Sequence, residues 1–177
     1  MLIRAARESD FDAVAELTNH FIRETAIHFG AEPVTAAELR EPWSTHREMY
    51  PFLVAEVEGR FAGFSRAGSY RERAAYAWTV ETTVYVAVGM ERKGVGKALY
   101  ERLFTILREQ GFETAIGGIA LPNEASVRLH EAMGFVKVAH LARAGWKLGR
   151  FHDLGFWQRD LDPPNGAPRA IVPPVYG

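Results

Sequence analysis

Cysteine is absent from the 177-residue chain, which removes disulfides, thiolate nucleophiles and cysteine-based zinc sites together. A charge surplus is missing too. The formal net charge is −1, so nothing in the overall charge points to nucleic acid as a partner. No apolar run approaches the ~20 residues of a membrane span, and the first residues do not follow a signal-peptide pattern. A membrane partner is therefore not expected, and the cytoplasm is the expected location. His20, His28, His46, His140 and His152 stand outside any HxxxH or HxH spacing, so no metal is expected. His152-Asp153 reads as structural. Internal repeats are lacking.

What the chain does hold is the balance of one ordinary globular domain, with 47% hydrophobic and 24% charged residues and enough length to bury a full core. Composition shifts only from Asp162 onward, where Pro, Gly and Ala dominate and Pro163-Pro164 and Pro173-Pro174 occur. Residues 1–161 are expected to form the domain and 162–177 an extended or loosely docked tail.

The stretch from Thr82 to Arg108 organises the rest. Thr82 to Val88 is a β-branched and aromatic run, the pattern of a buried strand. A turn follows over Gly89-Met90-Glu91-Arg92-Lys93. Gly94-Val95-Gly96-Lys97 then opens a helix whose Leu99, Leu103, Ile106 and Leu107 recur at helical spacing, and Gly111 closes it. A helix start of this kind leaves backbone N–H groups unpaired and favours an anion. Arg92, Lys93 and Lys97 add positive charge, while Gly94 and Gly96 let an oxygen approach the backbone. Two nucleotide patterns fail here. Val95 stands where a Walker A loop needs its lysine, and the third glycine of a dinucleotide fingerprint is missing after Gly94-Val95-Gly96.

Along the chain, Leu2 to Ala5 predicts a first strand, and Ser9 is placed to cap a helix with Phe11, Val14, Leu17, Phe21 and Ile22 on its apolar face. Thr25 to Pro33 loses periodicity and carries Phe29, which needs a cover, either the core or a ligand. Thr35-Ala36-Ala37-Glu38 is a capping box for a second helix running to about Glu48. Pro51 to Val57 and Arg60 to Phe64 form a hairpin about Glu58-Gly59. Arg71, Arg73 and Tyr76 lie in the connector before the central strand, read either as solvated or as donors to an anion. Thr114 to Ala120 is a strand containing Gly117 and Gly118. A helix from Pro122 through Ser126 places Val127, Leu129, His130 and Met133 toward the interior. Val136 to Arg143 and Phe151 to Asp160 predict closing strands, joined by a loop over Gly145 to Arg150. The class is α/β, a mixed central sheet of about six or seven strands flanked by helices.

Two blocks carry a family resemblance. The turn Glu91 to Gly96 resembles the pyrophosphate loop of the GNAT N-acetyltransferase superfamily, except that Glu91 stands where that superfamily prefers Gln or Arg. Asn123 to Phe135 resembles its Asn-x-x-Ser … Leu-His-x-x-x-Gly-Phe segment. Trp78 to Val86, Leu129 to Ala132, and Gly149 to Gln158 are similar, more narrowly, to the phosphinothricin and methionine sulfoximine N-acetyltransferase group, over nearly the whole of Ile3 to Asp160. The resemblance implies the acyl-CoA N-acyltransferase fold, acetyl-CoA as cosubstrate, a homodimer, and acetylation of the α-amino group of a glutamate-like amino acid. Another amine, or acyl-CoA binding without catalysis, stays open.

Residue by residue, the resemblance implies Glu81 and His130 as catalytic groups. Val84, Tyr85, Val86, Arg92, Lys93, Gly94, Val95, Gly96, Lys97, Asn123 and Ser126 are implied for the cofactor, and Phe29, Arg71, Arg73 and Tyr76 for the acceptor. Arg71 occupies a position that is lysine in the herbicide-inactivating members. The chemistry fits: an amine protonated at neutral pH must lose a proton before it attacks a thioester. A carboxylate at the start of the strand, made more basic by burial, would take that proton. His130 would assist as a second base or protonate the departing thiolate. Without those roles, Glu81 is a strand-end carboxylate and His130 a satisfied core imidazole. Backbone N–H groups near Tyr85 and Val86 would polarise the acetyl carbonyl.

Overall fold

In the computed structural model, residues 1–162 and 166–176 are described. Seven strands are β1 (Leu2–Ala5), β2 (Phe52–Val57), β3 (Arg60–Ser69), β4 (Thr79–Val86), β5 (Thr114–Leu121), β6 (Val136–Lys147) and β7 (Arg150–Asp160). Four helices are α1 (Phe11–Glu24), α2 (Ala36–His46), α3 (Val95–Gln110) and α4 (Glu124–Ala132). The strands form one mixed sheet in the order β1-β2-β3-β4-β5-β7-β6. Among the described residues, only β4 and β5 run parallel. This is the expected α/β architecture.

Strand alternation sorts side chains into two layers. Val80, Val84 and Val86 of β4 pack with α3, whose Leu99, Leu103, Ile106 and Leu107 are fully buried. Tyr85, on the opposite face, joins Phe11, Val14, Phe52 and Phe64 beside α1. Burying each such aliphatic side chain is worth roughly 1.5–3 kcal/mol, which makes the α3 layer the main source of cohesion. Gly111 closes α3 in the left-handed region, at a φ of 101°.

Several boundaries differ from expectation. β4 begins at Thr79 and stops at Val86, so Glu81 lies inside the strand rather than at its start. Ser9 does not cap α1. Residues Glu8–Asp10 form a 3-10 turn, and the Asp10 carboxylate takes the Arg7 N–H at 2.7 Å while Arg4 grips both its oxygens at 2.7 Å. A carboxylate held by a guanidinium is a stronger acceptor than a serine hydroxyl. β6 runs on to Lys147, past the expected stop at Arg143. Arg143 adopts a φ of 55° and its N–H donates to Asp153 Oδ1 at 2.9 Å, so an irregularity between Leu141 and Gly145 is absorbed without ending the strand.

The tail is extended but held. Trp78 Nε1–H donates to the Arg169 carbonyl at 2.7 Å, and the Val172 N–H to the Gln110 carbonyl at 2.9 Å. The Gln110 amide in turn donates to Met49 and Val172 carbonyls at 2.8 and 3.0 Å. Ile171 and Tyr176 pack against the α3 layer. The Pro163-Pro164 pair lies outside the described residues. Deleting residues 167–177 strips these bonds and half-buried side chains. A loss of about 2–3 kcal/mol is expected, measured as a lower urea midpoint with an unchanged far-ultraviolet spectrum.

Candidate active site

The parallel pairing of β4 with β5 covers only Thr79–Thr114, Val80–Ala115 and Glu81–Ile116. Beyond it the strands part. Hydrogen bonds fix which way the free main chain points. The Trp78 carbonyl accepts from Glu113 and Thr114 N–H groups on the β5 side at 3.0 and 3.2 Å, whereas the Ala87 N–H donates to the β3-side Ala62 carbonyl at 2.9 Å. Alternation then aims the polar groups of Thr83 and Tyr85 at β3, and those of Val84 and Val86 into the gap. The Tyr85 backbone expected to face a ligand is therefore committed to the sheet. Val84 and Val86 instead present a strand edge with no strand opposite, able to bond an extended polar ligand. The opening encloses about 100 Å³. A roomier hollow of about 150 Å³ lies under α2 beside Trp43 and Tyr50, but it has no carboxylate, and the opening is where the proton-handling groups meet.

At the far end of the gap stands the start of α3. Gly94 takes a φ of 79° there and no side chain caps the helix, so the first-turn N–H groups and the dipole are left for an anion. Gly96 has a different reason from the one expected. A Cβ there would stand 2.9 Å from Leu129 Cδ2, so its smallness lets α3 and α4 approach. Glu91, the departure from the superfamily pattern, accepts the Gly89 N–H at 2.9 Å and ties the turn from within. Arg92 sits at a φ of 62° in the same turn. Arg92, Lys93 and Lys97 are exposed and Val95 is buried, and Lys97 lies 3.7 Å from Glu101.

The third wall is α4. Asn123 caps it, its Oδ1 accepting the Ser126 N–H at 3.1 Å. One turn on, His130 is 4% exposed. Its Nδ1 lies 2.8 Å from the Ser126 carbonyl, an acceptor only, which places the proton on Nδ1. Nε2 is left to accept from the Tyr100 hydroxyl at 3.0 Å. Burial lowers the His130 pKa below its ordinary 6.5 and raises that of Tyr100, so both are neutral at pH 7. Tyr100 went unassigned in the sequence. Its one signal is a hydroxyl on the buried face of α3, which has to find a partner.

Glu81 lies on the other face of the sheet, sharing the side of Tyr85 by alternation. It lines the same opening, near Gly118 of β5. Contrary to expectation it is exposed, because Gly118 offers no side chain to cover it. Ile27 closes the opening from the α1–α2 loop. Phe29 turns away from it: a Cβ on Gly145 would stand 2.7 Å from its ring, so the phenylalanine rests on β6. Arg71, Arg73 and Tyr76 are exposed on the connector, with the Arg71 guanidinium 5.1 Å from the Tyr70 ring centre and Tyr76 edge-on to the same ring. None of the three lines the opening. No cluster able to hold a metal occurs among the described residues.

An unpaired strand edge running from Glu81 toward an uncapped, glycine-opened helix suits a long ligand with an amide-bearing arm and a phosphate end. Comparison with known proteins agrees. Residues 3–155 match the model of the acetyltransferase (GNAT) domain, and the chain belongs to that family. A protein named phosphinothricin N-acetyltransferase from Streptomyces viridochromogenes is 44% identical over 97% of this chain and 93% of its own. One from Salmonella typhimurium named L-methionine sulfoximine/L-methionine sulfone acetyltransferase is 36% identical over 92% and 95%. The structure of yncA from Salmonella typhimurium with its cofactor acetyl-CoA superposes with a TM-score of 0.90 at 34% identity, over 96% of this chain and 98% of that one. The chain is an acetyl-CoA-dependent N-acetyltransferase.

Two outcomes test the α4 wall. A Cβ at Gly117 would stand 2.7 Å from His130 Nε2, so Gly117→Ala should displace the imidazole and cost about 1–3 kcal/mol in a urea titration. His130 takes up a proton more readily unfolded than folded. Its stabilising contribution is thus complete above pH 6.5 and is lost as pH falls toward its lower folded value. Melting temperature should fall on acidification from that pH, and His130→Gln should flatten the slope.

Proposed function

We propose that the chain acetylates the α-amino group of a small anionic amino acid, such as L-phosphinothricin or methionine sulfoximine or sulfone, by direct attack in a ternary complex. The supporting observation is the exposed Glu81 carboxylate where β4 and β5 part, across the sheet from the buried Tyr100–His130 pair. Acetyl-CoA, when bound, supplies the thioester to be attacked. Glu81 receives the proton the amine must lose, directly or through water. On the other face, the neutral His130 accepts from the Tyr100 hydroxyl and keeps a polar group aimed into the opening. With its own Nδ1–H given to Ser126, His130 acts through Tyr100 rather than as the acid itself. The free Val86 and Val84 N–H groups are the donors for an acetyl carbonyl. The names of the Streptomyces and Salmonella relatives support the acceptor class. The reading includes a homodimer, supported by Val136, Val138 and Trp146, each more than half exposed along the unpaired edge of β6.

Following free thiol with acetyl-CoA and a panel of amines tests this reading. Anionic amino acids should outpace polyamines and peptide N-termini; the reverse order would reject the acceptor class. Glu81→Gln should lower kcat/KM by roughly 10²–10⁴-fold with coenzyme A affinity unchanged by calorimetry. Unaltered turnover would point to another base.

A further inference from the structure

The loop between α1 and α2 lies over the opening, with Ile27 among the lining side chains. Residues Thr25 to Pro33 form neither helix nor strand, so side chains have to fix the course of the loop. Its two ends are tied to α1. Thr25 Oγ1 donates to the Phe21 carbonyl at 2.8 Å and accepts the Ile27 N–H at 3.1 Å. The Asn19 side chain bonds both the carbonyl and the N–H of Val34 at 2.8 Å. The middle is tied elsewhere, to β6. Lys147 Nζ donates to the His28 carbonyl, and the Phe29 ring lies so close over Gly145 that a Cβ there would stand 2.7 Å from it.

Gly145 and Lys147 are two residues apart on β6 and share one face. Their backbone is braced from β7. Buried His152, in register with Gly145, donates its Nε2–H to the Lys147 carbonyl at 3.0 Å. Lys147 is half-buried and forms no ion pair among the described residues. Its ammonium is committed to a main-chain carbonyl, a charge-assisted bond stronger than a neutral one. It does not line the opening. We propose that Lys147 is a positioning residue for the acceptor: with Phe29 seated on Gly145, it latches the α1–α2 loop to β6 and so holds Ile27 over the opening. This rests on the proposed entry of the amine beside Glu81. β6 stands three places from β4 in the sheet, so a strand remote from the chemistry orders the acceptor's entrance. Without the latch the acceptor has to order the loop as it binds, which weakens binding and leaves the chemical step alone.

Two variants test the latch, each checked for an unchanged melting temperature. Lys147→Met keeps the stem and removes the donor, and Gly145→Ala pushes the Phe29 ring off β6. In both, chymotrypsin cleavage after Phe29 should quicken and the acceptor KM should rise, each by roughly 10-fold. The kcat and the KM for acetyl-CoA should stay unmoved. Lys147→Arg, which keeps a donor, should recover most of both effects. The rise should be equal for methionine sulfone and for its α-amide, because a latch does not sense the acceptor's charge. A rise confined to the carboxylate would mean that Lys147 meets the acceptor itself, and overturns the proposal. Cleavage unchanged in both variants overturns it too, as does a loss in kcat with KM unaltered. An unsubstituted enzyme that acetylates none of the amines rejects the proposed function, while the cleavage rates still decide the latch.

Discussion

The site depends on a sheet that comes apart after three rungs. β4 and β5 pair at Thr79, Val80 and Glu81 and then diverge, leaving main-chain groups of Val84 and Val86 without a strand. Unpaired backbone inside a fold is expensive, so something has to hold the strands apart. The brace is on the α3 side. Gly96 admits Leu129 against α3, Gly117 admits His130 against β5, and the Tyr100–His130 hydrogen bond ties the two helices. Three close contacts, two of them possible only at glycine, keep the cleft open where a continuous sheet would otherwise close it.

That brace also divides the chemistry. Because alternate residues of a strand face opposite ways, Glu81 emerges on the α1 side, while Tyr100 and His130 stand on the α3 side. A slot through a sheet lets two reactants meet from opposite faces without competing for one entrance. The carboxylate of Glu81 is exposed on its face, and the interior Tyr100–His130 pair is buried and neutral. The loop from Thr25 to Pro33 serves the outer side, with Ile27 over the opening, His28 beside Tyr85 and Phe29 on Gly145.

Much of this was legible beforehand. The strand, turn and helix from β4 through α3 follow from β-branched alternation, two glycines and a helical leucine pattern. The family resemblance implied Asn123 for the cofactor and Glu81 and His130 as catalytic groups, while the Asn123 cap on α4 came from the structure. What misled was local reasoning about contacts made far along the chain. Ser9 read as a cap because the grip of Arg4 on Asp10 could not be seen. Glu81 read as buried because its cover depends on Gly118, which sits thirty-seven residues later. Phe29 read as a residue for the acceptor, and its ring lies on a β6 glycine.

By itself, the sequence determined the elements and a helix start that favours an anion, since these rest on short-range periodicity and backbone freedom at Gly94; its resemblance to a known family implied the cofactor and the class of chemistry. Only the tertiary structure decided which main-chain groups are free, and that Glu81 and the Tyr100–His130 pair lie across the sheet from one another rather than side by side. Those properties arise from register and layer packing between segments distant along the chain, where no local pattern carries the information.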